Sequence, residues 1–494
     1  MRLLLGPPGT GKTTNLLSRV ELALAEGTPP DRIAFLAFTK KAANEAIARA
    51  CEKFKMAKKD FAYFRTIHSL AFQQLGLSRR DILTADHLLE LGSGLGLVFN
   101  ATPEQDIDEP QRMLSAVETL GDRLLTLYLL AKSRGVTLAQ QWGDAYVEMT
   151  DGMSQRSLED FGRDYEAFKR EKGVLDFSDI LSEWQPSLDL DLLIVDEAQD
   201  LSHQQWQLIL ALAQQAQETV IAGDDDQAIY EWAGADIALF LSLKAEREIL
   251  PFSHRLPRAI HAMADRSARH ILARYPKTWA PRQEEGLVDW VRGPEEVGLV
   301  GDQTFFLLAR TRAQQKRLIN CAFQEGVVFN AGGLWSNQMP YVRAAVVYER
   351  MRKGEELTKR ELAFVASWIV DAPEPKDDDP GPYGFDSLRW PFEGRPDWMT
   401  ALTRLSVKER EYVRALRRNG EPLTGPGRVT ISTIHGIKGG EADQVVMLTD
   451  VPRSIVRRAY AFPDAEQRVL YVGLSRAKRA LTLVHPQTRW HWEI

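Results

Sequence analysis

Short apolar runs recur along the chain at residues 3–5, 33–38, 192–195, 219–222, 305–308, 429–432, 445–448 and 481–484. Runs of this length, bounded by polar or turn-forming residues, predict strands buried on both faces of a parallel sheet. Between them, apolar positions at helical spacing mark segments such as 40–51 and 204–215. That alternation predicts layered α/β architecture. Two stretches interrupt it. Residues 83–173 read as helical and poor in strands, and residues 336–424 contain the loop 372–382, whose Pro, Gly and Asp density predicts exposed irregular chain. Both are expected to be insertions.

The first predicted strand runs into Gly6-Pro-Pro-Gly-Thr-Gly-Lys-Thr13, and a helical pattern starts near Thr14. In that context Gly6, Pro7, Pro8, Gly9, Thr10 and Gly11 form a loop whose backbone N–H groups, with the helix N-terminus, cradle nucleotide phosphates. Lys12 is expected to reach the β and γ oxygens and the Thr13 hydroxyl to ligate Mg²⁺. The strand 192–195 ends in Asp196-Glu197, so two carboxylates emerge at the strand end where α/β sheets bind ligands. Asp196 is the expected Mg²⁺ ligand, and Glu197 the group that orients or deprotonates an attacking water. Asp200 reads equally well as an acidic cap for the next helix. These motifs define a P-loop nucleoside triphosphatase and nothing narrower.

At 494 residues the chain exceeds one hydrophobic core, so three or four structural units are expected. No apolar run approaches the roughly 20 residues of a membrane span. Met1 to Leu5 lead straight into the glycine loop rather than forming a secretory signal, so a cytoplasmic location is expected. Cys51 and Cys321 are too few for a disulfide framework or a cysteine zinc site. The net charge of −6 gives no global attraction to nucleic acid, but residues 1–65 hold 12 Lys/Arg against 6 Asp/Glu. A solvated helix face accounts for Lys53, Lys55, Lys58 and Lys59 as readily as phosphate contact does.

Further motifs narrow the class. Val220-Ile-Ala-Gly-Asp-Asp-Asp-Gln-Ala-Ile-Tyr-Glu-Trp232 resembles motif III of UvrD/Rep-like superfamily 1 DNA helicases, and Tyr471-Val-Gly-Leu-Ser-Arg-Ala-Lys478 resembles their motif VI. Phe38-Thr-Lys-Lys-Ala-Ala43 is similar to motif Ia, Thr66-Ile-His-Ser-Leu70 to motif Ib, and Leu175-Asp-Phe-Ser-Asp179 to the element before motif II. Ser432-Thr-Ile-His-Gly-Ile-Lys-Gly-Gly-Glu441 is similar to motif V. The resemblance spans nearly the whole chain in the family's order. It implies an α/β fold of two RecA-like P-loop NTPase domains with parallel sheets, ATP in the cleft between them, and a mainly helical insertion in each. The first domain would take residues 1–82 and 174–250 with insertion 83–173; the second would take 251–335 and 425–494 with a reduced insertion 336–424.

By the same resemblance Gln227 senses the γ-phosphate, while Arg255 and Arg476 reach it from the second domain as arginine fingers. Glu441 approaches the ribose. Phe38, Tyr230 and Trp232 are the stacking aromatics for a nucleic-acid strand, and Thr39, Lys40, Thr66, His68, Thr433 and His435 the polar contacts. Thr14 stands where relatives carry an arginine, His254 where they carry a tyrosine, and Lys40 where they carry an asparagine. Only Met1 to Leu5 precede Gly6, where relatives have an adenine-reading glutamine segment, so relaxed nucleobase selectivity is expected; His254 remains a candidate to stack on the base. No nuclease domain or partner-recruiting tail is expected after motif VI.

The implied activity is ATP-dependent, 3′ to 5′ movement on single-stranded DNA with duplex unwinding, in repair, recombination or replication. The implied ligands are ATP, Mg²⁺, and single-stranded DNA and its junctions with duplex; replication or repair proteins are open partners, and a monomer is expected. A translocase that strips proteins from strands, a nucleic-acid-gated ATPase switch and an RNA track stay open. Trp335, Trp368, Trp390 and Trp398 in the second insertion are expected to be core residues.

Overall fold

The computed structural model describes residues 1–100, 119–372, 382–387 and 390–494. They form two compact units. One comprises Met1–Leu256, Asp265–Gln283 and Arg457–Tyr471; the other comprises Pro257–Ala264, Glu284–Val456 and Val472–Ile494.

In the first unit the apolar runs become β1 (Arg2–Leu5), β2 (Ile33–Ala37), β4 (Leu192–Asp196) and β5 (Glu218–Gly223), joined by β3 (Phe64–Thr66) and β6 (Glu246–Ile249). The six-stranded sheet runs β3-β2-β4-β5-β1-β6 with every pairing parallel. Leu4, Leu16, Val20, Phe35, Ala46, Ile194 and Val220 make the core that fixes helices Lys12–Ala25 and Lys40–Phe54 on the sheet. The two strands absent from the sequence reading, β3 and β6, are the sheet edges. Edge strands are not buried on both faces and lack the continuous apolar signature, as the exposed Glu246, Arg247 and Glu248 illustrate.

The chain enters and leaves the first insertion at a bridge between Ile82 and Leu175. Its helices Ala85–Leu95, Leu120–Arg134, Leu138–Asp144 and Gln155–Lys172 carry a separate core of Leu88, Leu124, Tyr128, Phe161 and Tyr165. Lys169, buried on the last of these, bonds Asp176 at 2.7 Å and Asp179 at 2.5 Å. That ties the insertion to the Asp176-capped helix Phe177–Glu183.

The second unit holds β7 (Leu287–Val291), β8 (Phe305–Ala309), β9 (Phe329–Ala331), β10 (Leu334–Trp335), β11 (Val429–Thr433), β12 (Ala442–Leu448) and β13 (Ala477–Val484). The order is β10-β9-β11-β8-β12-β13-β7, with only the β10–β9 pair antiparallel. Its core runs unbroken from Leu307 and Ile431 on the sheet to Tyr348, Trp390, Trp398 and Tyr412 beyond it. Trp335 and Trp368 pack partly buried against that core. Most of the loop expected at 372–382, residues 373–381, lies outside the described residues.

Residues 251–256, 265–283 and 457–471, expected in the second domain, belong to the first unit. Backbone bonds hold the 251–283 stretch there: Leu250 N–H to Leu5 O, Ala280 N–H to Pro251 O and Ser253 N–H to Ala280 O. Among the described residues no helix is long and apolar enough to cross a membrane.

Candidate active site

The loop after β1 is shaped by its glycines and by hydrogen bonds within it. Gly9 and Gly11 take left-handed φ values of 72° and 79°. Thr10 Oγ1 donates to Pro7 O at 2.8 Å, and Lys12 Nζ folds back to Gly6 O at 2.9 Å. The helix Lys12–Ala25 starts at Gly11 with no side-chain cap and no acid in its first turn. Its leading N–H groups and its dipole are therefore suited to an anion such as a nucleotide phosphate.

β4 delivers the two carboxylates to the same place. Thr13 Oγ1 donates to Asp196 Oδ2 at 3.2 Å, and Lys12 Nζ lies 3.7 Å from Glu197 Oε1. Burial, then the neighbouring Glu197 charge, pushes Asp196 up to about 6, against the pull of Lys12 and Thr13. Glu197 itself is held at a left-handed φ of 53°, a strained conformation for a residue with a Cβ. A buried carboxylate destabilised by a like charge, with a hydroxyl beside it, fits a divalent cation, which would relieve both penalties.

Gln199 was not singled out in the sequence. Its amide bridges β4 to the loop after β5: Nε2 donates to Glu197 Oε2 at 2.5 Å, and Oε1 accepts Asp224 N–H at 2.9 Å. Gln227 Nε2 in turn donates to Asp224 Oδ2 at 2.7 Å. Asp200 does not cap the next helix. Ser202 does, accepting Gln205 N–H at 3.2 Å, while Asp200 is buried beside Gln199.

The segment carrying Arg255 lies against the phosphate loop within one unit, which corrects its expected placement on the second domain. Ser253 Oγ donates to Pro8 O at 2.8 Å, and His254 N–H donates to Gly9 O at 2.8 Å. A Cβ on Gly9 would stand 2.3 Å from Arg255 Cβ and 2.9 Å from Ser253 Oγ. Gly9→Ala is therefore expected to cost about 1–3 kcal/mol in backbone strain alone and to push Arg255 away. Thermal unfolding and the KM for ATP should both worsen; wild-type values for both would contradict this packing.

His254 contacts Phe252 edge-on at 5.3 Å, and a Cβ on Gly11 would come within 4.0 Å of both His254 and Thr14. His254, Gly11 and Thr14 thus gather around the start of the phosphate-facing helix.

The expected strand contacts are distributed unevenly. Phe38 and Tyr230 stack on each other at 5.6 Å, and Trp232 meets Tyr230 edge-on at 6.2 Å. Phe38 is 9% and Tyr230 2% exposed, so neither is an open platform; they line a cavity of about 140 Å³ with His68. Thr39 and Thr66 cap helices Lys40–Phe54 and Ile67–Gln74, accepting from Ala42 N–H and Ser69 N–H at 3.2 and 3.1 Å. Lys40 is exposed, and His68 meets Phe177 edge-on.

In the second unit Thr433 ends β11, where its hydroxyl accepts Gly436 N–H at 3.1 Å, and His435 follows in the next turn. Arg476, 1% exposed, is bound by Val472 O at 2.9 Å and Ser475 Oγ at 3.0 Å. Glu441 lies 3.9 Å from Lys478.

The UvrD/REP helicase N-terminal domain family matches residues 1–248, and the UvrD-like helicase C-terminal domain family matches residues 411–488. ATP-dependent DNA helicase PcrA of Bacillus subtilis (strain 168) is 26% identical over 313 residues, 60% of this chain and 41% of that protein. ATP-dependent DNA helicase Rep of Buchnera aphidicola is 26% identical over 267 residues, 49% of this chain and 38% of that protein. The chain thus spans about two-fifths of the length of these curated relatives.

Proposed function

The chain belongs to the UvrD/REP helicase family, and from that premise we propose that it is an ATP-dependent DNA helicase that moves 3′ to 5′ on single-stranded DNA. The observation that carries the nucleotide half of this reading is the convergence of Lys12, Thr13, Asp196 and Glu197 within hydrogen-bonding or ion-pair distance. Loop N–H groups and Lys12 hold the phosphates. Thr13 and Asp196 would hold Mg²⁺, which supplies charge stabilisation on the phosphate oxygens when bound. Glu197 orients the attacking water and accepts its proton, Gln227 reports on the γ-phosphate, and Arg255 steadies negative charge as the terminal phosphoryl transfers. Arg476 is carried over from the resemblance as the second arginine, and Glu441 as the ribose contact.

For the strand, Trp232, Lys40, His68, Thr433 and His435 are the proposed contacts, with Phe38 and Tyr230 reached through the cavity they line. Base faces and phosphates recognised this way tolerate any sequence, as a translocating protein requires. The direction rests on the family resemblance. Strand displacement from duplexes bearing a single 3′ or 5′ tail tests it: ATP-dependent release from the 3′-tailed duplex alone is expected. Release from the 5′-tailed duplex alone overturns the direction, and displacement of bound protein without strand release assigns a stripping translocase instead.

A further inference from the structure

Behind Gln227 and Glu197 stands a group of buried charges. The loop after β5 sets Asp224, Asp225 and Asp226 side by side, each 0% exposed. Three adjacent carboxylates lose their hydration and repel one another, so such an arrangement needs compensating cations. These come from a segment later in the chain, within the same unit. Lys277 Nζ, itself fully buried, lies 3.1 Å from Asp224 Oδ1 and 2.9 Å from Asp226 Oδ2, and also bonds Asp225. Arg274 grips Asp226 with two bonds of 2.8 and 2.6 Å, and Tyr275 N–H donates to Asp225 Oδ2 at 2.7 Å. Burial alone would lower the Lys277 pKa, but the three carboxylates raise it overall, so the ammonium stays charged.

Asp224 divides its hydrogen bonding between this clamp and the reaction machinery. Oδ1 faces Lys277, Oδ2 accepts the Gln227 amide at 2.7 Å, and its N–H donates to Gln199 Oε1 at 2.9 Å. Gln199 then donates to Glu197 Oε2 at 2.5 Å. A shift of Asp224 therefore moves both the phosphate-sensing amide and the carboxylate that handles water. Lys12 meets this chain of bonds at its far end, where its Nζ lies 3.7 Å from Glu197 Oε1, while Lys277 acts on Asp224 at the other end, so the effect of Lys277 is expected mainly on the reaction rather than on the grip on nucleotide.

We propose that Lys277 is a positioning residue for ATP hydrolysis: by holding Asp224 it sets the orientation of Gln227 and, through Gln199, of Glu197. The inference rests on the roles proposed above for those two residues. Misplacing a reacting group by about 1 Å costs about 100-fold in rate, and an effect of that order is expected in kcat, with KM for ATP near its wild-type value.

Two variants test it. Lys277→Met combined with Asp225→Asn removes the Lys277 contacts while leaving Arg274 on Asp226 and the net charge of the cluster unchanged. Asp224→Asn keeps the fold's packing but replaces one of the two acceptor oxygens. Both are measured for cooperative melting, kcat and KM, with the wild type and Glu197→Gln alongside. Folded variants that lose kcat and keep KM support the assignment. Folded variants with wild-type kcat, a joint loss of kcat and KM, or failure of both variants to fold would mark the cluster as scaffold and overturn it. An active wild type silenced by Glu197→Gln isolates that failure to Lys277; a wild type without ATPase activity overturns the underlying reading as well.

Discussion

Glu197→Gln is expected to reduce kcat for ATP hydrolysis by about 10²–10⁴-fold, the contribution of a positioned general base. The amide keeps the size of the side chain but cannot take the proton of the attacking water. Nucleotide affinity is expected to hold or improve, because the change removes a negative charge 3.7 Å from Lys12 Nζ and leaves the phosphate loop intact. It also relieves Asp196, whose raised proton affinity owes its second largest share to the Glu197 charge. Single-turnover hydrolysis together with equilibrium binding of a fluorescent nucleotide separates the two effects. A variant that hydrolyses ATP within about tenfold of wild type would remove Glu197 from the role of base.

Arg255→Ala should lower kcat by about 10³-fold or more, the scale of an arginine that stabilises a transferring phosphoryl group. Its backbone is anchored beside Gly9 through Ser253 and His254, so the side chain starts from a fixed point on the phosphate loop. Arg255→Lys should recover little of the loss, since one ammonium does not reproduce the planar two-pronged donor. Steady-state kinetics on all three proteins decide this. Full activity of the lysine variant would show that any positive charge suffices and would contradict the geometric role.

Features fixed by neighbouring residues were legible in the sequence, and those fixed by distant partners were not. Most central strands were legible because burial on both faces demands continuous apolar runs, though β9, three residues long and only partly buried, was not; the phosphate loop was legible because its glycines and Lys12 act within a few residues of one another. β3 and β6 were not, since edge strands need only one protected face, and Glu246, Arg247 and Glu248 give no apolar signal. Nothing near Lys277 announces a lysine whose side chain is fully buried and bonded to three aspartates far earlier in the chain. The same limit explains Arg255: motif order placed it after the first domain, whereas backbone bonds to Gly9 and between residues 251–253 and Ala280 keep it in the first unit. Gln199 was visible as a residue but not as a bridge, because its two partners lie on different strands' ends. For Phe38 and Tyr230 the aromatic type was readable, but their burial against each other was decided by packing.

The most direct test of the central proposal is the steady-state rate of ATP hydrolysis with single-stranded DNA of increasing length, with Glu197→Gln as the control. A translocating motor predicts strong stimulation that rises with strand length and disappears in the variant. Stimulation independent of length would contradict movement and assign a nucleic-acid-gated switch, and no stimulation by DNA of any length would contradict the DNA track itself.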